Sequence, residues 1–116
     1  MGGVVFRRPL RRVHGSGPSN AGIMIVGSQP GYEENNSGRV FAGKTGDELD
    51  RFLDGDALPA RADVFLTNLH REYKGRDYIY TANDTRTDEQ DLLRELYTVR
   101  PTLIVPMGRE ATRWCL

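Results

Sequence analysis

The sequence predicts an α/β domain built around a parallel sheet, and two observations carry that reading. Three short apolar runs, "IMIV" at 23–26, "VFLT" at 64–67 and "TLIVPM" at 102–107, are rich in β-branched residues and lack the polar alternation of a half-exposed sheet. Between them the apolar period changes to that of helices, so the elements read β-α-β-α-β. The 116 residues, 38% hydrophobic and 28% charged, suit one small globular domain with a single core.

Ahead of the first run lies a basic stretch. No acid precedes Glu33, whereas Arg7, Arg8, Arg11 and Arg12 stand near the start, so the formal charge is +4 over residues 1–32 and −4 over the rest. Residues 1–19 are expected as a flexible basic arm, either laid along phosphates or solvated, and residues 20–116 as the folded part. With 16 basic and 16 acidic residues in all, net charge by itself predicts neither nucleic-acid nor membrane binding. The arginine pairs are followed by "VHGSGPSNAG" rather than an apolar stretch, which is neither a Sec nor a twin-arginine signal. No apolar run approaches the roughly 18 residues of a membrane span, and a cytoplasmic protein is expected.

The first strand exits into "GSQPG" at 27–31, and five glycines fall between positions 27 and 46. The Pro30 ring fixes one torsion while the glycines permit close backbone approach. A bound nucleotide, a bound phosphate and a tight turn all account for such a loop. Its spacing matches neither G-x-G-x-x-G nor G-x-x-x-x-G-K-[ST]. In "KTGDELDRFL", Thr45 and Glu48 have capping-box spacing, and Leu49, Phe52 and Leu53 share a face. The second strand ends at Asn68. In "TDEQDLLRELYTVRP", Thr87 and Gln90 repeat the cap spacing, Leu92, Leu93, Leu96 and Val99 form the stripe, and Pro101 stops the helix. The third strand runs to Gly108, and "REATRWCL" comes after it with Ala111, Trp114 and Cys115 at helical spacing. Three parallel strands make a small sheet, so residues 20–116 are expected to be the amino-terminal portion of a larger domain, with a fourth strand beyond Leu116.

Open parallel sheets bind ligands beyond the carboxyl ends of their strands, so "GSQPG", Asn68 and Gly108 are expected to meet at one crevice. Cys115 is the only cysteine, which excludes an intrachain disulfide and any all-cysteine metal site within the chain. His14 and His70 add no ligand spacing, and no metal is expected. The long connection "HREYKGRDYIYTAND" at 70–84 mixes basic side chains with Tyr73, Tyr78 and Tyr80.

In order and spacing, "GSQPG", Glu34, "GRVFAG" at 38–43, "GDELDRFL" at 46–53, "VFLTN" at 64–68 and "RPTLIVPMGREAT" at 100–112 resemble the uracil-DNA glycosylase superfamily. The most similar pattern is that of its bacterial and phage branch: G-E-A-P-G-x-x-E, G-R-P-F-x-G, x-T-N and P-x-x-I-x-x-x-G-x-x-A. The resemblance covers about residues 20–114. It implies a three-layer α/β/α domain around a central parallel sheet of four strands, and hydrolysis of the N-glycosidic bond of uracil in DNA during base excision repair. The partner implied is DNA carrying uracil or a related deaminated base.

The same resemblance assigns roles. Gly27, Ser28, Pro30 and Gly31 lie against the sugar and the uracil O2, and Gln29 stands where relatives hold an Asp or Asn that positions the attacking water, or an Ala. A glutamine does not ionise, but its carbonyl orients water. Little more is needed if an oxocarbenium-like sugar forms first. Phe41 is a stacking platform for the base or, as aromatics commonly are, a core side chain. Asn68 offers an acceptor to uracil N3–H and a donor to O4, or simply ends its strand. Glu34 orders the loop, counters developing positive charge on the sugar as a catalytic group, or belongs to an exposed acidic pair with Glu33. Arg71, Lys74 and Arg76 either touch single-stranded DNA or sit in a solvated loop.

Four departures qualify the resemblance. Ser28 replaces the branch's glutamate, and Val40 its proline. Many relatives carry four cysteines for an iron–sulfur cluster, which the single Cys115 cannot supply, so no cofactor is expected. The H-P-S or H-P-A motif that relatives carry after a fourth strand is absent from these 116 residues. A non-catalytic DNA- or base-binding module that keeps the pocket, and a Rossmann-like binder of small nucleotides, are therefore the competing readings.

Overall fold

The structure, a computed structural model, describes residues 11–54 and 59–116. Strand β1 (Ile23–Gly27) lies between β2 (Phe65–Asn68) and β3 (Leu103–Met107) in a three-stranded parallel sheet of order β2-β1-β3. Its side chains alternate between two cores. Ile25 packs with Val40, Phe41, Leu49, Leu53 and Leu66 on one face, and Met24 and Val26 pack with Phe65, Leu69, Leu92, Val99 and Ala111 on the other. Burial on both faces is why the run reads as continuously apolar.

Helix α1 (Tyr32–Ser37) leads from β1 into α2 (Lys44–Leu53), whose Leu49 and Leu53 cover the first face. Leu92 and Val99 of α3 (Ala82–Val99) and Ala111 of α4 (Arg109–Cys115) cover the second. The three-layer α/β/α arrangement is thus as expected. In register, Gly27 stands opposite Asn68 on one side and Met107 on the other. The three strands therefore end level with one another.

Several local expectations are corrected. β3 is the sheet edge, and Leu103 and Ile104 are 52% and 36% exposed rather than buried. Phe52, expected on the core face of α2, is 52% exposed; Gly46 takes part in that face instead. The capping residue of α2 is Gly43, which leaves Thr45 inside the first turn. Helix α3 starts well before the position that the Thr87 spacing predicts. Thr81 Oγ1 accepts from the Asp84 N–H at 3.1 Å, and Asp84 Oδ2 accepts from the Thr81 N–H at 2.8 Å, closing a reciprocal cap that continues as an exposed, polar first turn.

The basic segment is likewise bound from Arg11 onward, while Arg7 and Arg8 lie outside the described residues. The Ser16 N–H and carbonyl pair with Leu66 at 2.8 Å each, covering the outer edge of β2, and Val13 is buried in the first core. The Arg11 guanidinium donates to the carbonyls of Asn35 and Asn36 at the end of α1, at 2.8 and 3.0 Å. Arg12 donates to Glu72, Asp88 and Asp91 and holds the Asp91 carboxyl below its ordinary value.

Beneath α3 lies a buried charged cluster. Arg71 is fully buried and makes a two-pronged contact with Glu95, Nη1 to Oε2 at 2.9 Å and Nη2 to Oε1 at 2.6 Å. Glu95 also accepts from the Thr67 hydroxyl at 2.5 Å and the Gly15 N–H at 2.9 Å. One carboxylate thereby ties β2, α3 and the amino-terminal segment together. Replacing one member of a buried pair strands the other charge. Arg71→Met is therefore expected to lower the free energy of unfolding by about 3–5 kcal/mol. Arg71→Met/Glu95→Leu, which removes both charges, is expected to recover most of that loss; urea unfolding of the three proteins checks it.

Candidate functional site

Because the strands end level, the loops that leave them all face one crevice. It consists of two adjoining depressions that share Gln29, Thr45 and Asn68. One, of about 370 Å³, is lined by Pro30, Gly31, Glu34, Phe41, Tyr73 and Arg76 among others; the second, of about 500 Å³, reaches Gly27, Ser28, Met107, Gly108 and Arg109. Both volumes lie in the range of small-molecule sites. The convergence of "GSQPG", Asn68 and Gly108 is as expected.

The wall of the smaller depression is set by Glu34. This residue is buried, and its Oε1 accepts from the Gly31 N–H at 2.7 Å. Its Oε2 accepts from the N–H groups of Ala42 and Gly43 at 3.0 and 2.6 Å. A carboxylate at the start of α2 also meets the positive end of that helix. Of the roles open to Glu34, ordering the loop matches this geometry, and an exposed acidic pair does not. Glu33 alone is exposed.

Phe41 is packed as a core side chain at the border of the crevice. Its side chain is only 4% exposed and belongs to the first core, yet it also lines the depression. A Cβ on Gly27 would come 2.9 Å from the Phe41 Cζ and would overlap the Asn68 Oδ1, so glycine there lets ring and carboxamide close over the end of β1. Phe41 has φ +50°, a strained value for a bulky residue. Arg61 braces it by donating to the Val40 and Phe41 carbonyls at 3.2 and 2.5 Å, and Gly46 admits the Phe41 carbonyl against α2, where a Cβ would overlap it. Arg61 carries no motif spacing, and sequence reasoning missed it.

Asn68 is 4% exposed at the end of β2, and among the described residues its carboxamide has no hydrogen-bond partner. Gln29 is exposed and lines both depressions. Ser28 turns inward: its hydroxyl accepts from the Ala111 N–H at 3.1 Å and donates to the Met107 carbonyl at 3.5 Å, tying the exits of β1 and β3 together. The carbonyls of Gly27 and Ser28 accept from the Leu69 and His70 N–H groups at 2.8 and 2.9 Å. The loop entering the crevice is therefore anchored at its base, leaving Gln29 outward.

The connection after β2 divides its cations. Arg71, expected as a DNA contact, is fully buried against Glu95 and is corrected to a structural residue. Lys74 is paired with Asp84 at 2.9 Å. Arg76 is exposed at the crevice mouth. Tyr32 and Tyr73, which meet edge to face at 6.3 Å, also line the depression. Neither carries a spacing that marks it as a site residue in the sequence.

An iron–sulfur cluster does not fit these residues. Cys115 is exposed on α4, and among the described residues no group of three or more His, Cys, Asp or Glu side chains is placed to hold a metal ion. The positions after Asn68 are instead occupied by His70, which shares a 3.2 Å contact with Asp88, and by the Arg71–Glu95 pair. Among the described residues no helix is long and apolar enough to cross a membrane.

Comparison with known proteins agrees with this architecture. The family described as "Uracil DNA glycosylase superfamily" matches residues 14–116. The type-4 uracil-DNA glycosylase of Saccharolobus solfataricus is 31% identical over 102 residues, covering 88% of this chain and 47% of that protein. The type-4 enzymes of Archaeoglobus fulgidus and Thermotoga maritima are 32% and 29% identical, over 88% and 85% of this chain and 51% of each relative. The chain thus spans about half the length of the curated relatives it matches. With the family matched across the sheet, both glycine loops and the crevice, the chain belongs to the uracil DNA glycosylase superfamily.

Proposed function

We propose that the protein is a uracil-DNA glycosylase that hydrolyses the N-glycosidic bond of uracil, or of a related deaminated base, in DNA. The observation that carries the reading is the Asn68 carboxamide, nearly buried and unpaired among the described residues beside the Phe41 ring. The carboxamide opens only onto the crevice, with no protein group among the described residues competing for it, so it is suited to a ligand that supplies its hydrogen bonds. Its oxygen would accept from uracil N3–H while its nitrogen donates to O4; cytosine presents the opposite pattern. The Phe41 ring would flank the extruded base, and Gln29 would orient the attacking water. Glu34, with both oxygens engaged by backbone N–H groups, is a positioning residue in this scheme. A cytoplasmic setting suits the free Cys115.

Excision of uracil from a labelled oligonucleotide, read as strand cleavage at the abasic site, tests the proposal. Asn68→Ala is expected to lower kcat/KM by about 10²- to 10³-fold. Gln29→Ala is expected to lower kcat about tenfold while leaving KM nearly unchanged, because water positioning acts after binding. Product formation that survives Asn68→Ala would sink the base-reading role. Tight binding of the oligonucleotide without product would favour a binding module.

Glu34→Gln keeps the shape but replaces one acceptor oxygen by an NH₂ group facing an N–H donor. It is expected to destabilise the protein by about 1–3 kcal/mol, in thermal unfolding, and to raise KM by loosening the Phe41 loop.

A further inference from the structure

The loop that carries Phe41 to the crevice also borders another depression, of about 290 Å³, which shares no lining residue with the crevice. Its floor is apolar, formed by the buried side chains of Val40, Val64 and Leu66. Its rim carries His14, Ser16, Arg39 and Arg61, and no Asp or Glu lines it. Backbone contacts fix that rim. The Ser16 N–H and carbonyl are held by Leu66 at 2.8 Å each, and Arg61 Nη2 donates to the Val40 and Phe41 carbonyls at 3.2 and 2.5 Å. Arg39 follows the left-handed Gly38 that ends α1, and its own N–H donates to the Ser37 hydroxyl at 3.2 Å. The chain on both sides of the depression is therefore set in advance, which lowers the ordering cost of a contact made there.

The side chains of the rim lack partners. Among the described residues the Arg39 guanidinium, the Ser16 hydroxyl and the His14 imidazole make no hydrogen bond, and only Arg61 meets a carboxylate, that of Asp50 at 2.9 Å from outside the depression. Arginine presents a planar fork that matches two phosphate oxygens, the hydroxyl adds a donor, and imidazole keeps an N–H in either protonation state. These donors come from separate segments of the chain. A carboxylate offers two oxygens in one plane, whereas a phosphate offers oxygens around a tetrahedron and suits donors spread about a rim. A bare ion would leave the floor of Val40, Val64 and Leu66 in contact with water, and a phosphate ester would cover it with its carbon-bearing side.

We propose that this depression binds the phosphate group of a phosphate ester, with the Arg39 guanidinium on its oxygens and the carbon side of the ester on Val40, Val64 and Leu66. Two sources supply that chemistry, a backbone phosphate of a DNA strand passing over the Phe41 loop and a free sugar phosphate. Binding here needs no excision, so the proposal goes beyond the glycosylase reading. Because Arg61 braces Val40 and Phe41, an occupant also bears on the loop that shapes the crevice.

Two titrations of the full chain test it, one with deoxyribose 5-phosphate in a calorimeter and one with a uracil-free single-stranded oligonucleotide over a series of salt concentrations. Each uses the native protein, Arg39→Gln and Arg113→Gln, the last removing an exposed cation on α4 as a control for charge alone, with unfolding midpoints confirming that both variants fold. Arg39→Gln is expected to weaken binding of the sugar phosphate about tenfold or more, and Arg113→Gln to leave it unchanged. A salt slope that falls by about 0.7 in Arg39→Gln and not in Arg113→Gln identifies the DNA backbone as a source of the phosphate. An unchanged slope beside weakened sugar-phosphate binding identifies the free ester. If Arg39→Gln behaves as the native protein or as Arg113→Gln does in both titrations, the proposal is overturned. Neither titration depends on uracil excision, so a protein that binds as expected and excises nothing counts against the glycosylase reading alone.

Discussion

The crevice depends on one buried carboxylate. Glu34 accepts hydrogen bonds from Gly31, Ala42 and Gly43, so a side chain on the short helix α1 binds the loop before it to the loop after it. Charge-assisted bonds to backbone N–H groups are stronger and more directional than neutral ones, and here they end at the positive pole of α2. With the loop ends fixed, the chain between them must turn within a few residues, which it does through a left-handed Gly38 and a strained Phe41. Arg61 and the bare Cα of Gly46 hold that strained geometry in place. The cost at Phe41 is offset by these neighbours, and the result is a ring at the end of β1.

The opposite wall is held by different chemistry. Asn68 stands just ahead of His70 and Arg71, both fully buried and both tied to α3, through Asp88 and Glu95. Thr67, just before it, bonds the same Glu95. Asn68 is therefore placed by the residues on either side of it while its own carboxamide remains uncommitted. Buried ion pairs add little net stability compared with apolar packing, but they fix geometry because their bonds are directional. Arg12 and Gly15 join this cluster from the amino-terminal segment, so the charges of Arg11 and Arg12 are spent within the protein.

Much of this was legible in the sequence. Continuous apolar runs indicate the number and parallel arrangement of the strands, because burial on both faces leaves no room for alternation. The strand ends then locate the crevice, and Gln29, Phe41 and Asn68 do line it. What was not legible depends on long-range pairing. Arg71 reads as one of several cations in a loop until Glu95, far along α3, is seen to take it. Arg12 reads as part of a solvated arm until Glu72, Asp88 and Asp91 are seen around it. The start of α3 was missed because its first turn is exposed, so the apolar stripe that marks a helix begins only after it. Leu103 and Ile104 read as buried because composition does not distinguish a central strand from an edge.

The pattern of engaged and unengaged groups bears on mechanism. Among the side chains named at the smaller depression, the carboxylate is fully occupied by N–H donors, and the polar groups at the ends of β1 and β2 that face open space are neutral amides, Gln29 and Asn68. Amides neither take nor give up a proton at ordinary pH, so they suit the proposed excision, in which departure of the base and not activation of water is the difficult step. Such a reaction gains from holding the base edge and sugar in place as charge develops, and preorganised dipoles do that without moving. The buried supports beneath each amide are what supply that rigidity: the register of Gly27 with Asn68 on one side, and the anchored carbonyls of Gly27 and Ser28 below Gln29 on the other.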